Sequence, residues 1–299
     1  MKKIMGEKTK FIDTNIKNKS KTVEEKIQLF NYQGQMLPLP TEIEISESGT
    51  CNRVCSFCPR SDPSFEDKKE FIGNLLHEKM CVELKELDYK GTIRYSGFVE
   101  PLLDKNIFNL INMVRKYLPQ SNIEMVTNGD PLNITRLKKL FSSGLNKILI
   151  SAYDGKEDAQ KLEDLCVSIK LKKEQYIVRH RYYSEEQDFG ITLSNRSGLM
   201  KNAEFKIENL NEPLKNPCYI PSYTFFLDYQ GDVLMCPHDW GKKIVLGNLN
   251  NQRLLDIWFS KKSMQIRKML NKSNRNFTPC NVCDVEGTFM GKKNSTYFN

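Results

Sequence analysis

The chain has 299 residues, of which 39% are hydrophobic and 27% are charged. This balance is typical of a globular protein, and the length is enough for one large domain and one smaller domain. The net charge of +8 comes from lysines spread along the whole chain, which favours a solvated basic surface over nucleic-acid binding. No apolar run approaches the length of a membrane span. We therefore expect a soluble, cytoplasmic protein without nucleic-acid or membrane partners.

Nine cysteines are an odd number in a chain that has no secretory features, which argues against a disulfide framework and for metal binding. Two of them, Cys81 and Cys166, lie in helical patterns among Leu, Met and Val, where a small buried hydrophobic residue is expected. The other seven form two groups: Cys51, Cys55 and Cys58, followed by Cys218, Cys236, Cys280 and Cys283.

Residues 1–38 are polar and lysine-rich, with one modest helical pattern over residues 23–30. They are interpreted as an N-terminal extension that packs late or loosely. Three further segments are predicted. They are a main domain over residues 39–210, a small domain over residues 211–288 and a tail over residues 289–299.

The segment from Cys51 to Pro59 follows a predicted strand and has the spacing Cys-x3-Cys-x2-Cys. One tight loop with this spacing presents three soft thiolates to iron and supplies no nearby fourth ligand. An iron-sulfur cluster held in this way keeps one iron open to a small chelating molecule. The alternative is a zinc knuckle or a group of structural cysteines, although zinc loops mostly use Cys-x2-Cys pairs in closed sets of four.

Strand and helix patterns alternate after this point. Strands are predicted at residues 41–46, 92–96, 122–127, 146–151 and 176–183, and helices at 71–88, 104–117, 134–143 and 155–172. This alternation predicts parallel strands with right-handed crossovers. Because residues 189–198 offer a further strand and turn, we predict an α/β fold with a partial (β/α)6 TIM-like barrel. Its functional residues are expected at the carboxyl ends of the strands.

Polar residues stand at several of these strand ends. Gly97 permits close approach of a ligand to the backbone, and Glu100 follows it in a Gly-x-x-Glu-Pro turn. Asn128 precedes a glycine, a pair that turn chemistry alone also explains. Ser151 ends the fourth strand. Arg196 stands beside a turn glycine, where its side chain is suited to a bidentate contact with a carboxylate or with vicinal hydroxyls.

The second cysteine group begins after a proline-rich boundary at residues 211–217. Two strands flanking Gln230-Gly231 predict a hairpin that carries Cys236 back toward Cys218. An amphipathic helix over residues 254–270 then returns the chain to Cys280 and Cys283. Four convergent thiols suit either zinc or an iron-sulfur cluster.

These motifs together resemble the radical S-adenosylmethionine superfamily. The resemblance rests on the CxxxCxxC triplet, on Phe57 just before its third cysteine, and on the later cysteines, whose spacing is similar to the twitch variant of the SPASM auxiliary domain. The sequence lacks the additional cysteines of a full SPASM domain. Within the superfamily, the chain is most similar in kind to aminocyclitol dehydrogenases that carry one auxiliary cluster.

The resemblance implies two 4Fe-4S clusters and S-adenosylmethionine as cofactors. It assigns the first cluster to Cys51, Cys55 and Cys58, and the auxiliary cluster to the other four cysteines. It also implies that the cofactor-binding residues are Phe57, Gly97, Glu100, Asn128, Ser151 and Arg196. Among these, Glu100 or nearby carbonyls would meet the methionine ammonium, and Ser151 the ribose or carboxylate.

The implied reaction is removal of hydrogen from a small substrate by a 5′-deoxyadenosyl radical, with oxidation of a sugar, aminocyclitol or nucleotide-sugar alcohol. A flavodoxin- or ferredoxin-type protein would donate electrons. Candidate catalytic residues are Arg196, Tyr95 and Cys166. In an epimerisation, the hydrogen donor would be Cys81, Cys166 or Tyr95. Radical modification of a peptide and a non-catalytic zinc-binding protein remain as alternatives.

Overall fold

A computed structural model of the chain describes residues 14–182, 193–202 and 207–298. The strands in these residues are β1 Leu29–Tyr32, β2 Gln35–Pro38, β3 Glu42–Ser46, β4 Ser48–Gly49, β5 Lys68–Phe71, β6 Thr92–Tyr95, β7 Asn122–Thr127, β8 Lys147–Ala152, β9 Tyr176–His180, β10 Thr224–Asp228, β11 Asp232–Leu234 and β12 Val245–Asn248. The helices are α1 Thr14–Glu25, α2 Asn74–Glu86, α3 Ile107–Tyr117, α4 Ile134–Ser142, α5 Lys156–Ser168, α6 Leu254–Trp258, α7 Lys261–Asn271 and α8 Lys292–Ser295.

The main sheet of the described residues has eight strands in the order β12-β11-β10-β3-β6-β7-β8-β9. Each neighbouring pair from β10 to β9 is parallel, whereas β11 and β12 pair antiparallel. The five predicted barrel strands and the four predicted helices between them are confirmed, with boundaries that differ by a few residues. The result is an α/β fold with a mostly parallel sheet, as the alternating pattern predicts.

A further strand was predicted within residues 189–198. Residues 183–192 lie outside the described residues, and residues 193–198 contain a short 3-10 helix at Arg196–Gly198 instead of a strand. The parallel neighbour of β3 on its other side is β10, the first strand of the predicted hairpin around Gln230-Gly231. The hairpin is therefore confirmed, and it also extends the barrel sheet, because its apolar run Thr224–Asp228 is buried along its whole length.

Strand alternation gives the sheet two different faces. Ile43, Ile45 and Ile93 belong to the main apolar core, together with residues of the surrounding helices. The intervening residues, such as Glu44 and Arg94, therefore point to the opposite face, which is the interior of the barrel. This interior is polar, and the charges within it are buried.

The N-terminal segment departs from its prediction. The helix lies over Thr14–Glu25 and not over residues 23–30, and Leu29–Tyr32 forms a strand with Gln35–Pro38. Val23 is 1% exposed and packs in a cluster with Cys218, Cys236 and Cys280. The expectation of loose packing is wrong for this part of the chain, because α1 covers the core of the predicted small domain.

The predicted helix over residues 254–270 is divided into α6 and α7. Ser260 interrupts it by accepting a hydrogen bond from the backbone N–H of Ser263, which caps the second helix. Arg267 then lies over the ring of Trp258 at 3.6 Å and holds the two helices together. Within the part of the chain that is described, no helix is both long and apolar enough to cross a membrane.

We expect Val23→Ala to lower the free energy of unfolding by about 1.5–3 kcal/mol, because it removes two buried methyl groups and leaves a cavity. The control is Glu24→Ala, which changes the next residue, an exposed one on the same helix. Denaturant unfolding of the reduced protein measures the difference. Equal midpoints for the two variants would show that α1 does not pack on the body of the protein.

Candidate active site and metal centres

The first cysteine group lies in the loop that follows β3, at the carboxyl end of the sheet. The antiparallel pair β4 and β5 closes the base of this loop. Cys51, Cys55 and Cys58 are half-buried free thiols, and the backbone N–H of Cys58 donates to the carbonyl of Cys55 at 2.9 Å. Burial, together with the neighbouring Cys58 and Cys51, raises the pKa of Cys55 to about 11.

Arg53 fixes this loop to the ends of two other strands. Its Nε and Nη2 donate to the carboxylate of Asp130 at 2.7 and 2.5 Å, and its Nη1 and Nη2 donate to Asp154 at 2.8 and 2.6 Å. Asp130 follows β7 and Asp154 follows β8. The hydrogen bonds that Arg53 donates, first to Asp154 and then to Asp130, raise the pKa of its guanidinium. The sequence analysis missed all three residues, although each carboxylate follows a predicted strand.

Asn128 and Phe57 both lie beside the cysteine loop. The side-chain amide of Asn128 donates to Asn52 Oδ1 at 2.8 Å and lies 3.8 Å from the sulfur of Cys51. The ring of Phe57 packs against Tyr153 with 5.6 Å between ring centroids. Both predicted cofactor-binding residues are therefore next to the thiols, and their part in cofactor binding stays a prediction.

Glu100 has a different environment from the one predicted. It is 1% exposed, and its carboxylate accepts hydrogen bonds from the hydroxyl of Thr127 at 2.6 Å and from the backbone N–H groups of Asn128 and Leu102 at 2.7 and 3.0 Å. Burial raises its pKa to about 7. The carboxylate thus holds the turn that positions Asn128. A contact of Glu100 or nearby carbonyls with the methionine ammonium stays a prediction.

Gly97 and Ser151 both lie at strand ends as predicted. Gly97 has a φ of +97°, and a Cβ there would lie 2.9 Å from the ring of Phe226, so the protein's own packing already requires glycine. Ser151 alternates with Ile150 and Ala152, which belong to the core, and so it faces the barrel interior. A ligand role for either residue stays a prediction.

Tyr95 and Cys166 do not lie at the site, which corrects their assignment as hydrogen donors. Both are 0% exposed and belong to the core between the sheet and its helices. The hydroxyl of Tyr95 lies 2.9 Å from His77 Nε2, and Cys81, confirmed as a buried residue, lies 3.8 Å from the other ring nitrogen. Strand alternation points Tyr95 away from the barrel interior, so none of these groups reaches a ligand there.

Arg196 lies between the two cysteine groups. Burial lowers its pKa, while the nearby Cys58 and Asp284 act in the opposite direction. Its guanidinium is 5.9 Å from the ring of Trp240, and its buried Nε has no hydrogen-bond partner among the described residues. An unpaired buried donor is costly, so this nitrogen is available to a ligand. The anchoring role of Arg196 stays a prediction.

Trp240 joins the two halves of the site and was missed by the sequence analysis. It follows Cys236 closely in the chain, and its ring packs on Phe98 with 4.5 Å between centroids. The guanidinium of Arg60, next to the first cysteine loop, lies 6.0 Å from the same ring. Arg60 also donates to the carbonyl of Gly49 at 2.8 Å. The indole therefore ties the small domain to the base of the cysteine loop.

The second cysteine group is more deeply buried than the first. Burial raises the pKa of all four thiols, and those of Cys218, Cys280 and Cys283 all act on Cys236. The backbone N–H of His238 lies 3.4 Å from the sulfur of Cys236. These features fit thiolates that bind a cationic metal centre, because such a centre offsets charges that burial alone disfavours.

The ligands themselves limit the possible metals. Four thiolates suit either zinc or an iron-sulfur cluster, whereas three thiolates in one loop suit an iron-sulfur cluster with one open iron. The first group would supply three ligands and the second group four.

Comparisons with known proteins agree with this arrangement. Residues 218–284 match the SPASM family, an iron-sulfur cluster-binding domain. The chain is 30% identical over 235 residues to the S-adenosyl-L-methionine-dependent 2-deoxy-scyllo-inosamine dehydrogenase of Niallia circulans. The matched region covers 78% of this chain and 88% of that protein. The chain belongs to the radical S-adenosylmethionine superfamily.

Solved structures give the same result for the fold. The crystal structure of BtrN in complex with AdoMet and 2-DOIA is 28% identical, with a TM-score of 0.71 over 86% of this chain and 98% of that one. The structure of anSMEcpe with bound AdoMet is 12% identical over 87% of this chain and 92% of that one, with a TM-score of 0.53, and supports the fold alone. The predicted superfamily, α/β fold, oxidoreductase class and cofactors are confirmed.

We expect Arg53→Met to weaken cluster binding in the first loop by about 10- to 100-fold, the usual effect of losing a group that supports metal ligands. The control is Arg253→Met, which removes an exposed arginine that pairs with Glu86 on the outer surface. Iron and sulfide are counted after anaerobic reconstitution and again after exposure to a chelator. If both variants keep their iron equally well, the Arg53 contacts do not support the loop.

Proposed function

We propose that this protein is a radical S-adenosylmethionine dehydrogenase that oxidises an alcohol of an aminocyclitol to a ketone. The observation that carries the proposal is the 30% identity to a 2-deoxy-scyllo-inosamine dehydrogenase over 235 residues. The same region of this chain contains both cysteine groups. A small polar substrate also agrees with a barrel interior lined by buried charged groups.

The first cluster would be held by Cys51, Cys55 and Cys58, with one iron left for S-adenosylmethionine. When bound, this pair of cofactors supplies reductive chemistry that generates a 5′-deoxyadenosyl radical, which takes a hydrogen atom from the substrate. The protein's task is to orient the two reactants and to keep water away. Arg53 helps to orient the reactants by fixing the cysteine loop. The aromatic cluster of Phe98, Phe226 and Trp240 helps to exclude water from the site.

The second cluster would be held by Cys218, Cys236, Cys280 and Cys283. Conversion of an alcohol to a ketone removes one hydrogen atom, one proton and one electron from the substrate. Four buried thiolates leave no open iron, so this centre suits acceptance of that electron rather than substrate binding. Arg196 lies between the cysteine groups and has an unpaired nitrogen, which supports its role as an anchor for substrate or cofactor.

A flavodoxin- or ferredoxin-type protein is proposed as the source of electrons for the first cluster. All nine cysteines are free thiols, each within the described residues. Reduced thiols and iron-sulfur clusters both favour a reducing compartment, so we place the activity in the cytoplasm. Peptide modification, the earlier alternative, gains no support from a particular feature of this chain.

We expect the reconstituted protein, with dithionite, S-adenosylmethionine and 2-deoxy-scyllo-inosamine under anaerobic conditions, to form 5′-deoxyadenosine and a ketone in equal amounts. Deuterium at the oxidised carbon should appear in the 5′-deoxyadenosine. Cys55→Ala should abolish both products, because the loop loses one of its three ligands. Mass spectrometry measures the products and the label.

The matched control is Cys166→Ala, a buried cysteine of the core, which should keep the activity. Formation of 5′-deoxyadenosine that is unaffected by Cys55→Ala would refute the radical mechanism. Label transfer from a peptide panel, with none from any cyclitol, would instead favour peptide modification.

A further inference from the structure

The barrel interior contains a connected group of charged side chains on β3, β6 and β7, completed by one residue of the N-terminal helix. All of them are largely buried. The carboxylates outnumber the cations in this group by three to two. Its members are Lys19, Glu42, Glu44, Arg94 and Glu124.

Two of the three carboxylates are well paired. Arg94 donates to Glu42 at 3.0 Å and to Glu124 at 2.8 Å, and Lys19 lies 2.6 Å from Glu42. Burial acts to raise the pKa of Glu42, but Arg94 and Lys19 together bring it below its ordinary value. Glu124 has a second partner, the side-chain amide of Asn122, at 2.7 Å. Both cations are thus used by Glu42 and Glu124.

Glu44 is the weakly paired member. One carboxylate oxygen accepts a hydrogen bond from the hydroxyl of Ser96 at 2.6 Å, and the other lies 4.0 Å from Lys19. The residue is 7% exposed. A buried carboxylate without a close cation is costly, and a ligand that brings a positive charge stabilises it. The position therefore favours an ammonium group.

The depth of Glu44 indicates which ligand supplies that charge. Ser46 ends β3, so Glu44 lies two residues, or about 7 Å, below the strand end. The residues around the cysteine loop, such as Asn128 and Asp130, follow their strands instead. Glu44 therefore lies deeper in the barrel than the residues around the cysteine loop. Another cation of the same sheet face, Arg179, is on β9, four strands away from β3.

A second polar group supports a ligand in this space. The ring nitrogen Nδ1 of His238 is buried and has no hydrogen-bond partner among the described residues. Burial lowers the pKa of the His238 ring, and the charges of Arg196 and of Lys19, a member of the Glu44 group, act in the same direction. An unpaired buried ring nitrogen is available to a hydroxyl group of a polyhydroxylated ligand.

We propose that Glu44 binds the ammonium group of the aminocyclitol substrate and so determines the preference for an amine over a hydroxyl at that ring position. This inference rests on the proposed function. Lys19 contributes by pairing closely with Glu42, which leaves Glu44 with only a 4.0 Å contact to a cation. The N-terminal helix is therefore part of the substrate site.

The test measures binding to the reconstituted protein with S-adenosylmethionine present, by anaerobic calorimetry. The probes are 2-deoxy-scyllo-inosamine and the same cyclitol with a hydroxyl in place of the amine. The wild type should prefer the amine by about tenfold or more, because a charge-assisted hydrogen bond is stronger than a neutral one. Glu44→Gln should remove this preference and leave binding of the hydroxyl probe within about threefold of wild type.

Two further variants make the result specific. Glu124→Gln removes the same charge from the same sheet face, but Glu124 is paired closely with Arg94 at 2.8 Å, so this variant should keep the amine preference. Glu44→Asp retains the carboxylate and should keep part of the preference. If Glu44→Gln does not fold, Glu44→Asp serves as the test in its place. The expected result is then an amine preference smaller than that of the wild type.

The outcomes separate this inference from the proposed function. Oxidation of the aminocyclitol by wild type, with an amine preference that survives Glu44→Gln, would overturn the role of Glu44 and leave the dehydrogenase intact. An equal loss of affinity for both probes in Glu44→Gln would also overturn the role of Glu44. So would a loss of affinity for S-adenosylmethionine alone. If neither probe is bound or oxidised by the wild type, the proposed function fails as well.

Discussion

The contact of Arg53 with two carboxylates is the constraint on which the rest of the site depends. It joins the cysteine loop after β3 to Asp130 and Asp154, 77 and 101 residues later in the chain. The arginine side chain is 19% exposed and that of Asp154 is 59% exposed, so solvent screens much of the attraction. The contact therefore acts mainly by fixing geometry, because two bidentate pairs set the direction of the cysteine loop over the barrel opening.

The cysteine loop is also linked to the small domain, because the two share a sheet and side-chain contacts. β10 pairs directly with β3, so the strand before the first cysteine loop and the hairpin of the second cysteine group belong to one sheet. Trp240 and Arg196 add contacts at the barrel opening, and Val23 adds one from the N-terminal helix. The domain boundaries remain predictions, and a continuous sheet crosses the one at residue 211. A change at either cysteine group is therefore expected to affect the other.

The sequence was sufficient for the features that local patterns encode. Apolar runs located the strands β3, β6, β7, β8 and β9, and cysteine spacing located both thiol groups. Contacts between residues far apart in the chain could not be predicted from the sequence. A short motif does not reveal that Arg53 meets Asp130, or that Lys19 enters the barrel. Tyr95 was misassigned although alternation with Arg94 already places it on the opposite face. The hydrogen bonds of Glu100 to its own turn were also not foreseen, because a strand-end carboxylate is equally suited to binding a ligand and to capping its own turns.

The most direct measurement of the central claim is electron paramagnetic resonance of the reduced protein with S-adenosylmethionine labelled with 15N in its amino group. A variant with alanine at Cys218, Cys236, Cys280 and Cys283 confines the signal to the first loop. The account predicts a 4Fe-4S signal that changes on addition of the cofactor and shows coupling to the labelled nitrogen. A spectrum unchanged by the cofactor, or a loop that holds zinc without sulfide, would contradict it.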